Sequence, residues 1–84
     1  MRVAIHSSAR RHGVADEDVL HACEHAITWL EPSDDPRRYL LAGPDSASNL
    51  LELFVLGLDD VVLVIHAMSL RRSTAAQLFG PETS

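Results

Sequence analysis

Residues 50–67 read LLELFVLGLDDVVLVIHA, and this stretch decides the fold of the 84-residue chain. It contains two short apolar runs, residues 50–56 and 61–67, and each run is typical of a buried β-strand. Gly57 and the two aspartates that follow it are typical of a hairpin connection. Glu52 is the one polar position of the first run. The stretch therefore predicts two neighbouring antiparallel strands at the centre of a sheet.

Helices are predicted before this hairpin. A short helix is expected to begin at Ser7 or Ser8 and to run to Arg11. A second helix is expected to begin with Asp16 as its cap, because acidic residues favour the first turn of a helix. Residues 2–6 form either a brief strand or an extended lead-in, and residues 27–29 either end the second helix or begin a strand.

The remaining segments complete an α+β pattern. Residues 31–36 (EPSDDP) predict a loop, and residues 38–42 predict a further strand. A last helix is expected to begin at Ser69 or Ser73 and to end at Phe79. The order predicts a single domain, residues 1–84, of the α+β class, with N-terminal helices, a central antiparallel meander of three to four strands and a C-terminal helix.

The composition of the chain indicates where the protein is located and which partners it can bind. The chain has no apolar run long enough for a signal peptide or a membrane span, so we expect no membrane partner. The single cysteine, Cys23, cannot form an internal disulfide, which favours a cytoplasmic protein. The net charge of −5 argues against binding nucleic acid through the overall field of the protein. The seven basic residues are all arginine and are clustered, however, so a local positive patch is compatible with an acidic total.

Arginine and histidine make up the candidate site. RNA can be cleaved without a metal when its own 2′-hydroxyl is the nucleophile, provided that the protein supplies a base, an acid and cations at the phosphate. Histidine suits proton transfer near neutral pH, and arginine suits phosphate charge. The alternative is that these residues are exposed charges and that His66 is a hydrogen-bonded residue at a strand end. The candidates are Arg11, His12, Arg38, His66 and Arg71, with Arg10 and Arg72 beside them.

A second pattern offers a metal-based alternative. Residues 21–25 (HACEH) match the H-x-x-E-H motif of one class of zinc proteases. No third ligand follows, and both histidines lie opposite the apolar face of the predicted helix, so a solvated helix face is the favoured interpretation. Cys23 belongs to the apolar face and is expected in the core. We therefore expect neither a metal nor another cofactor.

Four segments taken together resemble the BrnT type of toxin, which belongs to the RelE-like ribonucleases of bacterial type II toxin–antitoxin systems. The resemblance spans about residues 6–79 and depends on the order and spacing of short motifs. Arg11 matches the basic residue of a (Lys/Arg)-His-Gly-Val opening, and Arg38 matches an arginine that leads a strand ending in glycine. Met68 stands where the family has the arginine of an Ile-Ser-Ala-Arg segment, and Arg71 is the nearest substitute. The matching segments are residues 11–14, 38–43, 50–53 and 65–71.

This resemblance implies a function as well as a fold. It implies a compact α+β domain and metal-independent RNA cleavage that arrests translation. It also implies a small cognate antitoxin of the ribbon-helix-helix type as partner, RNA as substrate and a cytoplasmic location, and a homodimer is a further expected assembly. In that reading Arg11, Arg38 and Arg71 hold phosphate, and His66 or His12 transfers protons. The alternative is a non-catalytic interaction protein on the same fold, a degenerate toxin that binds an antitoxin or self-associates.

Overall fold

Five β-strands form one mixed sheet in the computed structural model, which describes residues 2–34 and 37–80. The strand order across the sheet is β1-β5-β4-β3-β2. Strand β1 pairs with β5 in parallel, and all other neighbours are antiparallel. A 3-10 helix, Ser7–Arg10, follows β1. The other elements are β1 (Arg2–Ile5), α1 (Asp16–Glu24), β2 (Thr28–Asp34), β3 (Arg37–Pro44), β4 (Leu50–Gly57), β5 (Val61–Ser69) and α2 (Arg72–Phe79).

The predicted central hairpin is present as β4 and β5. The turn between them is closed by a hydrogen bond from the Leu58 amide to the Val61 carbonyl, 2.9 Å long. Side chains alternate between the two faces of the sheet. On one face, Leu53 and Val55 of β4 and Val64 of β5 are buried in the core beneath α1. Glu52 is on the opposite face of the sheet, and α2 covers part of that face.

A β-bulge changes the phase of β5 in its middle. Val55 pairs with Val64, whereas Phe54 pairs with His66, so Ile65 is an extra residue without a partner on β4. One extra residue in a strand shifts all following side chains to the other face. As a result His66 shares the face of Phe54, and Ala67 returns to the core.

Helix α1 lies close against the sheet because small residues meet at the contact. Ala22 of α1 is fully buried, and a Cβ atom placed on Gly43 of β3 would overlap the Ala22 carbonyl oxygen. A side chain at position 43 would therefore push the helix away from the sheet. In this helix Val19 and Ala22 are buried, and Cys23, which was expected in the core, is partly buried and packs against it. Within the described residues, no helix is long and apolar enough to cross a membrane.

The α+β class is confirmed, but the N-terminal part of the prediction needs correction. The sheet has five strands and is mixed, because residues 2–5 form a strand that joins the edge of β5 in parallel. The segment expected as a helix from Ser7 or Ser8 to Arg11 is a 3-10 helix of four residues. Asp16 is the first residue of α1 and not its cap, which is Ala15 and makes no side-chain capping bond. Helix α1 ends at Glu24, earlier than the apolar spacing indicates.

The loop predicted for residues 31–36 is wrong for residues 31–34, which belong to β2. Pairing with β3 outweighs the local turn signals, because strand formation depends strongly on its neighbours. Pro32 is compatible with this position, since β2 is an edge strand and its register shifts between Leu30 and Ser33. Residues 35 and 36 of the predicted loop lie outside the described residues. Helix α2 begins at Arg72, whereas Ser69 is the last residue of β5.

Candidate active site

Glu52 is the centre of the candidate site. It lies in the middle of the central strand β4, and its side chain is 0% exposed. Arg71, just before α2, makes four contacts with it from three nitrogen atoms: its backbone amide (3.0 Å to Oε1), Nε (3.1 Å to Oε1 and 3.2 Å to Oε2) and Nη2 (2.8 Å to Oε2). The buried Thr74 of α2 adds a side-chain hydrogen bond. The start of α2 is thus fixed to β4 by one carboxylate.

His66 lies next to this carboxylate, and His12 lies next to His66. Nε2 of His66 is 2.9 Å from Oε2 of Glu52, and 27% of the His66 side chain is exposed. The ring of His12 meets the ring of His66 edge to face, with 5.5 Å between the ring centroids. His12 reaches this position because the 3-10 helix is fixed to β5 by a 2.7 Å hydrogen bond from the Ser8 hydroxyl to the Ile65 carbonyl. Two imidazoles from distant parts of the chain therefore meet, and one of them, His66, contacts the carboxylate.

The surroundings of Glu52 keep it ionised. Burial opposes the charge and raises the pKa of Glu52, but hydrogen bonds from Arg71, Thr74 and His66 outweigh burial and lower the pKa to about 2. A carboxylate can only accept hydrogen bonds. Nε2 of His66 must therefore carry a proton, and in the neutral ring Nδ1 is left as the acceptor.

An open cleft of about 280 Å³ lies over this cluster. Arg71 and His66 are both at its wall, and 56% of the Arg71 side chain is exposed. The bonds to Glu52 use the backbone amide, Nε and Nη2 of Arg71, and none of them uses Nη1. The cleft thus offers an imidazole and a guanidinium edge to a small anionic group. Its lining consists of Leu40, Glu52, Phe54, Ile65, His66, Arg71, Thr74 and Gln77.

The other predicted site residues lie farther from the cluster. Arg38 precedes the cleft residue Leu40 by two positions on β3, so strand alternation puts it on the same face, but it is not part of the lining. Arg11 is exposed at the end of the 3-10 helix. Arg10 forms a two-point ion pair with Asp16, at 2.9 and 2.8 Å. Of the five residues predicted from sequence, the structure brings His66 and Arg71 together at the cleft, and His12 contacts His66 without being part of the lining.

The arginine at position 71 does not occupy the position that the resemblance indicates. Met68 lies directly opposite Glu52 in the β4–β5 register, and paired residues of antiparallel strands share a face. The arginine that reaches Glu52 comes instead from position 71, after the strand has ended. Glu52 itself was identified only as a polar position in a strand. A charged residue in the middle of an apolar run is the signal that could have assigned it to the site.

The H-x-x-E-H motif does not form a metal centre among the described residues. No group of three potential ligands lies close enough together in that part of the chain. The rings of His21 and His25 stack with their centroids 4.2 Å apart and their planes only 21° from parallel. A metal must lie close to the plane of each ring at about 2.0–2.1 Å from the nitrogen, which stacked rings do not allow for one shared ion. Nδ1 of His21 lies 2.8 Å from the carbonyl oxygen of Pro44, and Nδ1 of His25 lies 2.9 Å from the carbonyl oxygen of His21.

Comparisons of this chain with protein-family models, with curated proteins and with solved structures find no match.

Proposed function

We propose that the protein is a metal-independent endoribonuclease that acts at the cleft beside Glu52. The observation that carries the proposal is the contact between His12 and His66, two imidazoles 5.5 Å apart, with the guanidinium of Arg71 in the same cluster. Cleavage of RNA through its 2′-hydroxyl needs a base, an acid and a cation, and these three side chains supply those groups.

In the proposed reaction His66 accepts the proton of the 2′-hydroxyl. The 2′-oxygen then bonds to phosphorus, and the bond from phosphorus to the 5′-oxygen breaks. His12 donates a proton to that leaving oxygen. Arg71 binds the phosphate through Nη1, which its bonds to Glu52 leave unused. The products are a 2′,3′-cyclic phosphate and a 5′-hydroxyl, and no external oxidant or metal takes part.

The biological role that we propose is that of a BrnT-like toxin in a type II toxin–antitoxin system. The order and spacing of the motifs over residues 6–79 support it. The four consecutive antiparallel strands β2–β5 are compatible with the central antiparallel sheet that this resemblance implies. A small ribbon-helix-helix antitoxin is the corresponding partner. Arg11 and Arg38 are then available on the exposed surface to bind RNA outside the cleft.

Purified protein should be incubated with a fluorescent RNA in buffer that contains EDTA, and the ends of the fragments should be identified. Wild-type protein is expected to give cyclic-phosphate ends, and His66→Ala and His12→Ala are each expected to cleave about 10²–10⁴-fold more slowly. His25→Ala is the matched control, because His25 is an exposed histidine at the C-terminal end of α1 and does not line the cleft. Equal cleavage by all four proteins would show that a contaminant or another site is responsible. Induced expression in a bacterium should give growth arrest in the same order.

Exposed apolar residues at the start of β2 and just before it favour a second candidate function, a non-catalytic protein that binds a protein partner. Ile27 is 59% exposed and Trp29 is 61% exposed, and β2 is an edge strand whose outer side carries no neighbouring strand in the described sheet. An unpaired edge with large apolar side chains is a frequent site of association. If this function is correct, Trp29→Ser weakens association with a co-expressed antitoxin or with a second copy, and wild-type protein cleaves no RNA. Light scattering of the wild type and the variant measures this.

A further inference from the structure

Glu52 has no direct part in the proposed proton transfers, although it is the most strongly bonded side chain of the cleft. Among the described residues, Glu52 and Thr74 are the buried polar side chains, and both belong to this cluster. Burying an ionised carboxylate is costly unless it is paired and hydrogen-bonded. A glutamate at this point of a central strand therefore needs an explanation beyond stability.

We propose that Glu52 is the positioning residue of the cleft, which holds His66 as the Nε2–H tautomer and so leaves Nδ1 as the proton acceptor. This proposal rests on the ribonuclease function proposed above. It adds a residue that neither touches the substrate nor exchanges a proton with it. Glu52 acts through His66, and in the same way it holds the guanidinium of Arg71 in one orientation.

The hydrogen bond between Glu52 and His66 can have only one direction. The neutral imidazole has one N–H and one lone pair, and free histidine can carry the proton on either nitrogen. The 2.9 Å contact with an acceptor-only carboxylate allows only Nε2–H. Since a base needs a lone pair, this fixes Nδ1 as the basic atom. An enzyme whose histidine base takes the wrong tautomer loses as much as about 10⁴-fold in rate.

Glu52 also fixes the position of Arg71. Glu52 receives the backbone amide as well as Nε and Nη2 of this residue, so both the main chain and the plane of the guanidinium are fixed. A guanidinium held on one side keeps its opposite edge in a constant place, which lowers the entropic cost of binding phosphate. One carboxylate thus orients both the base and the cation.

The effect of Glu52→Gln follows from counting donors and acceptors. A glutamine has one acceptor oxygen and one donor NH₂ group, whereas Arg71 presents donors only. The backbone amide of Arg71 cannot turn away from Oε1, whereas its exposed guanidinium can leave Oε2, so the glutamine oxygen is expected at Oε1. The NH₂ group then lies at Oε2, where it displaces Nη2 of Arg71 and faces Nε2 of His66. Nε2 must then accept a hydrogen bond, and the proton moves to Nδ1. The variant therefore reverses the tautomer of His66 with almost no change in side-chain volume.

The tautomer can be read without RNA, by long-range ¹H–¹⁵N NMR of the imidazole of His66 in the full chain at a pH where the ring is neutral. We expect Nε2–H in the wild type and Nδ1–H in Glu52→Gln, while the spectrum of His25 stays unchanged. A wild-type ring that is Nδ1–H, or an even mixture of both tautomers, overturns the proposal whatever the cleavage activity. Because this result needs only the wild type, it remains decisive if Glu52→Gln fails to fold.

A double-mutant cycle then tests whether Glu52 acts through His66. Glu52→Gln is expected to lower RNA cleavage by about 10²–10⁴-fold in the wild type. In the His66→Ala background it should cause a much smaller loss in kcat, because only its effect on Arg71 remains, and Glu52→Asp, which keeps the carboxylate, should restore part of the activity. Additive losses overturn the positioning role. Wild-type protein with the expected tautomer but no cleavage of RNA refutes the proposed function and leaves the assignment of Glu52 to His66 in place.

Discussion

The ionised, buried Glu52 makes the stability of the fold depend on pH in a defined way. Its pKa is about 2 in the folded protein, against an ordinary value of 4.5. A lowered pKa contributes stability that is fully present above the unfolded-state pKa and is lost as pH falls toward the folded-state pKa. The difference of 2.5 pKa units corresponds to about 3 kcal/mol, since one unit is worth about 1.4 kcal/mol. This contribution should therefore disappear between about pH 5 and pH 2.

Urea denaturation of the wild type and of Glu52→Gln, followed by circular dichroism at half-unit steps from pH 7 to pH 2, measures this contribution. The free energy of unfolding of the wild type should exceed that of the variant by about 3 kcal/mol at pH 7, and the two curves should converge near pH 2. Glu24→Gln, which changes an exposed glutamate of α1, is the matched control and should follow the wild type throughout. A gap between wild type and Glu52→Gln that stays constant from pH 7 to pH 2 would refute the reasoning, because it would mean that the variant acts through packing and not through charge.

Three further predictions concern packing and hydrogen bonding. Gly43→Ala should destabilise the fold by about 1–3 kcal/mol, because the new Cβ overlaps the carbonyl oxygen of Ala22. The midpoint of urea denaturation tests this, and an unchanged midpoint would contradict the close approach of α1 to β3. Leu53→Ala, which truncates a fully buried side chain in the central strand, should cost about 2–5 kcal/mol by the same measurement, and a cost below 1 kcal/mol would argue that Leu53 is not in the core. Thr74→Val should cost about 1 kcal/mol at pH 7 and less at pH 2, since it removes a hydrogen bond that favours ionised Glu52; a pH-independent effect would exclude that bond.

The central hairpin could be predicted from sequence because its signals are local. Two apolar runs with a Gly-Leu-Asp-Asp connection between them specify neighbouring strands, and the structure has β4 and β5 at those positions. The strand β2 could not be predicted in full, because residues 31–34 carry the local signals of a turn. Only the pairing with β3 makes them a strand, and that pairing depends on residues elsewhere in the chain.

In the candidate site too, local sequence predicts some features, whereas contacts between distant residues could not be predicted. His12 and His66 could be selected by residue type, but their contact joins distant parts of the chain and depends on the path of the 3-10 helix along β5. The five donor groups around Glu52 come from three residues, which follow it by up to 22 positions. Arg10 is of a residue type that suits phosphate, whereas the structure pairs it with Asp16. The chemistry of each residue could therefore be predicted from its type, but the partners of that residue could not.

The bulge at Ile65 has a consequence for how this chain can vary in length. Because Ile65 has no partner on β4, its deletion would leave Val64 opposite Val55 and His66 opposite Phe54, so every other residue of β5 would keep its face. A deletion between His66 and Ser69 would instead exchange the core and cleft faces for all residues between the gap and α2, and would separate Arg71 from Glu52. We expect related chains to gain or lose a residue at position 65 far more readily than at the four positions that follow it.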